Sequence, residues 1–215
     1  MLRKRKRRIS SRDLQYLMAF AAVATLVTSA VAYGVLNPPP SEQFFAMWVL
    51  GSEGLAEHYY PNDDPNLRIG EEVNWTLGVY NHMGSLQYVV VRVKLLNSTI
   101  ASPDELSGTP SPASPLIEFT RVLVDNETWS LPFKWSIENL DARGRSLILT
   151  RLAINEEHFR GELVNAASGF NYRFIFELWF YDQTSNDLSF SRATSNITYS
   201  VWTQIWFNAT ATRSG

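Results

Sequence analysis

Two different patterns divide this chain. From Leu14 to Leu36 the residues LQYLMAFAAVATLVTSAVAYGVL run for 23 positions without a charge. At about 1.5 Å per residue such a helix reaches roughly 34 Å, enough for a hydrocarbon core of about 30 Å. The pattern predicts a transmembrane helix over 14–36. From Gln43 onward the period is two. Val73, Trp75, Leu77 and Val79 alternate with polar or small residues, as do Val89, Val91, Val93 and Leu95. Trp129, Leu131, Phe133, Trp135 and Ile137 repeat the pattern. Side chains of a strand point alternately to opposite faces, so each run predicts a strand with one buried face. Pro132 within the third run predicts an edge or a bulge, since proline cannot donate to a ladder.

Further strands are predicted at 43–50, 116–124, 145–154, 172–181 and 196–207. Segment 172–181 is apolar on both faces except at Arg173 and Glu177 and should be central. Turns are expected at Asn81-His82-Met83-Gly84, as a hairpin, and at Ala142-Arg143-Gly144 and Ser185-Asn186-Asp187. Residues 101–115 are rich in Pro and Ser and predict a mobile loop. In 155–169, Phe159, Leu163 and Val164 recur at about one helical turn, which predicts a short helix or an irregular crossover. The fold class expected is mainly β: the membrane helix, then an immunoglobulin-like antiparallel β-sandwich ectodomain. The divisions are a basic stub at 1–13, the span at 14–36, a stiff Pro-rich linker at 37–42, the sandwich at 43–210 and a tail at 211–215.

Charge changes the picture, although the net charge is only −2. Residues 1–13 hold seven basic residues and one acid, leaving twelve basic against twenty acidic residues in the remainder. Basic residues beside a span stay in the cytoplasm, so the acidic remainder is expected outside the cell membrane. A cleaved signal peptide is the rival reading, with Ala30-Val31-Ala32 as its cleavage pattern. The apolar run exceeds a usual signal core of about 7–15 residues, which favours a retained anchor. Arg7-Arg8 resembles a twin-arginine signal, but Ile9-Ser10-Ser11 lacks the apolar pair that follows in one. An acidic exterior gives no footprint for nucleic acid.

The chain has no Cys and three His, which excludes disulfides, thiolate nucleophiles and zinc fingers. No Gly-rich phosphate loop, G-x-S-x-G or H-E-x-x-H is present. No catalytic residue, metal ligand or cofactor is assigned, and an enzyme is not expected. Five N-x-S/T sequons, at Asn74, Asn97, Asn126, Asn196 and Asn208, all follow the span and are candidate glycosylation sites. The acidic stretch Pro61–Asn66 reads as a solvated turn or as hard oxygen ligands for calcium, although it lacks EF-hand spacing. Glu57-His58, His82 and Glu156-Glu157-His158 read as surface turns and charge clusters. Trp202 and Trp206 share one face of the last strand while Ile197, Tyr199, Val201, Ile205 and Phe207 share the other. That Trp face is either covered or a contact surface for a protein or sugar.

One stretch carries a family likeness. Phe45 to Pro61 (FAMWVLGSEGLAEHYYP) is followed by Leu67-Arg68-Ile69-Gly70-Glu71, then Gly78-Val79-Tyr80-Asn81-His82-Met83-Gly84 and Tyr88-Val89-Val90-Val91. This resembles the archaeal membrane-protein family known as domain of unknown function 1616, over about residues 43–182, and Val124-Asp125-Asn126-Glu127-Thr128-Trp129 suits it too. Met83 stands where that family has an acidic residue, and the loop from Tyr60 to Leu67 is longer. The resemblance implies a membrane span or spans, an extracytoplasmic β domain and an archaeal source. It brings no catalytic residue.

The expected role is therefore a single-pass surface protein whose ectodomain binds or scaffolds proteins or glycans. An accessory subunit of a membrane complex is the alternative, with Ala19, Ala21, Ala22, Ala24, Ser29 and Ala30 permitting close helix packing. A surface hydrolase is the minor alternative. The sequence leaves the oligomeric state open.

Overall fold

In the computed structural model, residues 10–37, 42–194 and 197–213 are described. The chain divides into two compact units, Met1–Glu42 and Gln43–Gly215.

The first unit carries α1 (Ser11–Leu36). Ser10 caps it: its hydroxyl accepts from the Asp13 N–H at 3.2 Å, and the Asp13 carboxylate accepts from the Ser10 N–H at 3.1 Å. This reciprocal pair occupies amide donors that the first turn otherwise leaves free. No side chain of α1 is buried. Thr25 and Thr28 donate their hydroxyls to the carbonyls of Ala21 and Ala24, at 2.9 and 2.8 Å. These two hydroxyls are therefore satisfied inside the helix, as a lipid environment demands. The basic run Arg3–Arg8 lies outside the described residues.

The second unit is a β-sandwich. Its strands are β1 (Phe44–Leu50), β2 (Asn66–Ile69), β3 (Glu72–His82), β4 (Gln87–Asn97), β5 (Ile117–Leu123) and β6 (Thr128–Arg143). They continue with β7 (Ser146–Ile154), β8 (Glu157–Ala167), β9 (Tyr172–Asp182), β10 (Asp187–Ser189), β11 (Ser191–Thr194) and β12 (Ile197–Arg213). One sheet has the order β1-β3-β6-β7-β8. The other has the order β11-β12-β9-β4-β5, with β10 added to β9 and β2 to β12. The β2–β12 pair is parallel, and the other strand pairs are antiparallel. Strand β12 continues to Arg213, three positions past the expected end of the sandwich.

Between the sheets lies an aromatic core. Trp135 packs on Phe174 at 4.9 Å and on Phe207 at 4.7 Å between ring centroids, and Phe133 meets Phe176 edge-on at 5.1 Å. These are the period-two residues of β6, β9 and β12. Edge-to-face contacts of this kind add to the burial of large apolar area.

Four expectations need correction. Asn81–Gly84 does not close a hairpin, because β3 and β4 belong to different sheets and the segment arches between them. The predicted helix at 155–169 is strand β8. Its register against β7 shifts between the Leu149↔Val164 and Arg151↔Arg160 pairs, so three residues of β8 face one of β7. That bulge moves the inward positions from Phe159 to Val164 and Ala166, which imitates a helical period. Pro132 lies in β6, which is internal to its sheet, yet β7 pairs with β6 only from Trp135 onward. Around Pro132 the strand has β3 on one side alone, so the edge is local. The fourth correction concerns the loop at 101–115 and belongs to the surface it covers.

Candidate contact surfaces

At its central strands, β9 and β4, the seven-stranded sheet buries both faces. Its inner face carries Phe174, Phe176 and Leu178 of β9 and Val89, Val91 and Val93 of β4. Its outer face carries Arg173 and Glu177 of β9 and Lys94 of β4, each buried. The pairing Trp202↔Glu177 and Trp206↔Arg173 puts both tryptophans on this outer face.

Lys94 Nζ lies 2.8 Å from a Glu177 carboxylate oxygen, with both side chains almost wholly excluded from water. A bare buried pair would lose more in desolvation than it gains in attraction. Here further bonds complete it. Lys94 also donates to the Ser111 carbonyl at 2.6 Å, and Glu177 accepts from the Ser111 N–H at 2.8 Å and the Trp179 indole N–H at 3.1 Å. Arg173 donates to Ser102 Oγ at 2.6 Å, to Gln204 Oε1 at 2.8 Å and to the Ile100 carbonyl. The Pro/Ser-rich loop expected to be mobile is thus tied across the sheet at Ile100, Ser102 and Ser111. Inside it Asp104 and Thr109 exchange two backbone hydrogen bonds, and the Asp104 carboxylate accepts from the Leu106 N–H and the Ser107 hydroxyl. Those bonds hold the Asp104 carboxyl below the usual range, the Ser107 hydroxyl contributing most. Composition could not reveal this, because the tethers are single residues on strands far along the chain.

The loop leaves the two tryptophans unequal. Trp202 is half-buried, with no partner for its indole N–H. Trp206 is 39% exposed, and the Arg173 guanidinium sits 4.6 Å from its ring centroid. The described part of the Trp face thus holds one accessible aromatic backed by a cation.

The sequons differ as well. Asn74 is exposed on β3 and borders a polar hollow of about 320 Å³ walled by Ser52, His58, Asn62 and Asp63. Asn97 is half-buried and donates to the Asn165 carbonyl at 2.8 Å. Asn126 is exposed, but its Oδ1 holds the Tyr80 hydroxyl at 2.9 Å and His82 Nδ1 at 2.7 Å. Asn208 joins segments, donating to Asn66 Oδ1 at 2.9 Å and accepting from the Asn171 N–H at 3.0 Å. Asn196 lies outside the described residues.

The acidic stretch is internally engaged. Asp63 sits 2.9 Å from His58 Nδ1 and raises that imidazole's pKa, while Asp64 accepts from the Asn66 backbone and side chain and is held low. Glu57 is not the partner of His58. His158 lies 2.8 Å from Glu138 across the sheet. Among the described residues no three His, Asp or Glu side chains converge as metal ligands.

The two segments that carried the family likeness meet at one corner. Asn81, fully buried, donates to the carbonyls of Ser85, Leu123 and Val124 at 2.9 to 3.1 Å and accepts from the Met83 N–H at 3.0 Å. Asp125 accepts from the Gly84 N–H at 2.7 Å. Gly70, at φ +83°, turns the chain where a side chain would be strained. Asn81 and Asp125 hold the arch together, while Gly70, bonded to the Ile137 carbonyl, turns the chain at the opposite end of β3.

No family model matches the chain, and no curated protein does. Among solved structures, the chain is similar to a CARDB domain from Pyrococcus furiosus crystallised with di-metal ions, at 10% identity and a TM-score of 0.38. The likeness covers 81% of this chain and 94% of that one. A beta-glucosidase from Listeria innocua in complex with gluconolactone matches at 12% identity and a TM-score of 0.33, over 80% of this chain but 17% of the enzyme. At such scores neither likeness carries an argument about activity, and the sandwich stands on its own strand pairing.

Proposed function

We propose that this is a single-pass membrane protein of the cell surface whose β-sandwich, outside the membrane, binds or scaffolds proteins or glycans. The observation that carries the reading is α1: a charge-free run from Leu14 to Leu36 with no side chain buried by protein, followed within seven residues by the first strand of the sandwich. An apolar helix without a protein partner belongs in lipid. The basic run before it orients the sandwich outward. Among the described sequons Asn74 is best placed for a glycan, being exposed and free of inter-segment side-chain bonds. Trp206 over Arg173 is the contact point the outer face offers. Membership of the archaeal family resembled by residues 43–182 is part of this proposal and rests on that resemblance in sequence.

The test uses the absence of cysteine. Leu106 is 92% exposed in the loop, so Leu106→Cys adds a unique surface thiol. In intact cells an impermeant maleimide should label it fully, and the labelled chain should resist carbonate extraction. Labelling only after lysis, or a chain released into the soluble fraction, contradicts the reading.

A further inference from the structure

Large apolar side chains exposed on the sandwich gather at one end. Phe44, Leu86, Val124, Tyr181, Ile197 and Tyr199 are each 38% to 61% exposed. Phe44 opens β1 opposite His82, the last residue of β3, and Leu86 lies in the arch that follows. Val124 follows Leu123, which pairs with Gln87 at the start of β4. Tyr181 is next to the last residue of β9, and Ile197 and Tyr199 pair with β11 at the start of β12. All therefore belong to the end at which the chain enters through Gln43. Two hollows lie among them, of about 200 and 340 Å³, sharing Met83, Phe180 and Arg192 as common walls. Elsewhere on the described sandwich Leu55, Phe170 and Trp206 are exposed and scattered. Charges at the clustered end are mixed with an acidic excess: Arg121 and Arg192 against Asp125, Glu127, Asp182 and Asp187. Arg192 is engaged with the Gln43 carbonyl at 2.6 Å. Attraction to anionic headgroups is thus not the driving force, and burial of apolar area is.

The sequence says what lies within reach. Six residues, 37–42, separate the end of α1 from Gln43. Fully extended, seven steps of about 3.3–3.6 Å limit the reach to roughly 25 Å. A helix of the length of the apolar run fills the hydrocarbon core, and the headgroup layer beyond it is only about 5–8 Å deep. A tether this short holds the domain at a high effective concentration beside the bilayer.

Building on the membrane-anchored reading, we infer that this end of the sandwich is itself a bilayer-contacting surface. Tyr181 and Tyr199 lie at headgroup level, where aromatic side chains with one polar end are favoured, and Phe44, Leu86 and Ile197 add apolar area. The bilayer is then bound at two places, by the helix and by the base of the domain.

Leu86→Cys, Tyr199→Cys and Phe170→Cys each place one thiol in an otherwise cysteine-free chain, at a position already exposed, the last beside the start of β9 at the opposite end of the sandwich. The full-length protein, one copy per phosphatidylcholine nanodisc, carries an environment-sensitive fluorophore at each. Labels at 86 and 199 should resist aqueous iodide several-fold better than the label at 170, and doxyl-phosphatidylcholine should quench them alone. Equal iodide quenching at all three sites, in a chain that resists carbonate extraction, overturns the docking and leaves the anchor standing. Protection from iodide without doxyl quenching means a protein covers the surface and overturns it too. Extraction by carbonate removes the anchor and the docking together. A glycan mapped at Asn126 in native material also overturns it, since Asn126 is exposed at this same end.

Discussion

The two faces of the seven-stranded sheet are built on the same strands and closed by different physics. The inner face, with Phe174, Phe176 and Leu178, is covered by the opposite sheet and held by apolar contact. The outer face places Arg173, Glu177 and Lys94 between those positions and is covered by a single loop held by directed bonds. Apolar contact is tolerant of detail and insensitive to salt or pH. A closed polar network holds one geometry only, and any member left alone is costly. The inner face therefore supplies most of the stability, and the outer face fixes where one loop lies.

Substitutions on each face separate the two. Phe174→Ala removes a fully buried ring from the inner face and should cost about 3–5 kcal/mol. Denaturant unfolding should show it, with the loop opening only as the whole domain unfolds. Lys94→Met leaves the Glu177 carboxylate buried without its cation and should cost about 3 kcal/mol. Adding Glu177→Leu should recover part of that loss, leaving about 1–2 kcal/mol for the Ser111 and Trp179 N–H groups stripped of their acceptor. In that double variant, protease should cut within 98–115 while the sandwich remains folded. If the double variant is as unstable as the single, the outer face is closed by something other than this pair.

Arg173→Lys keeps the charge and loses the planar fork, whose Nη1 reaches Ser102 and Gln204 while its Nη2 reaches the Ile100 carbonyl. A loss of about 1–2 kcal/mol is expected. Indole fluorescence should move as Trp206 loses its guanidinium cover. The smallest effect is that of pH on the loop. The Asp104 carboxyl is held low by the Ser107 hydroxyl, so its contribution is complete above the ordinary carboxylate value near 4 and is lost as pH falls through its depressed value. Amide exchange at Leu106 and Ser107, corrected for the intrinsic rate, should quicken below about pH 4 while β9 stays protected.

Much of this architecture is legible in the sequence, because a strand with one buried face writes its period directly. The runs around Trp75, Val91 and Trp135 fall in β3, β4 and β6, and segment 172–181 is central as expected. The Ala142–Gly144 and Ser185–Asp187 turns join β6 to β7 and β9 to β10. What was hidden depends on partners distant in sequence. The arch at Asn81 carries the same residue types as a hairpin, and only the carbonyls of Leu123 and Val124 distinguish it. Strand β8 was masked by its bulge. The loop read as mobile because Pro and Ser say nothing of Lys94 or Glu177. The one available signal was Arg173 and Glu177 themselves, two charges in an otherwise apolar central strand, which require buried partners. The sequons and both tryptophans could be found by pattern, but their unequal accessibility could not.

The claim that the outer face is a second closed interior rests on the Ser111 N–H and its Glu177 acceptor. Hydrogen exchange of that amide in the intact protein tests it most directly. The account predicts protection of the same order as the β9 amides, lost in the Lys94→Met/Glu177→Leu variant. Exchange at the rate of an unprotected loop, with β9 still protected, would contradict it and return the Trp face to solvent.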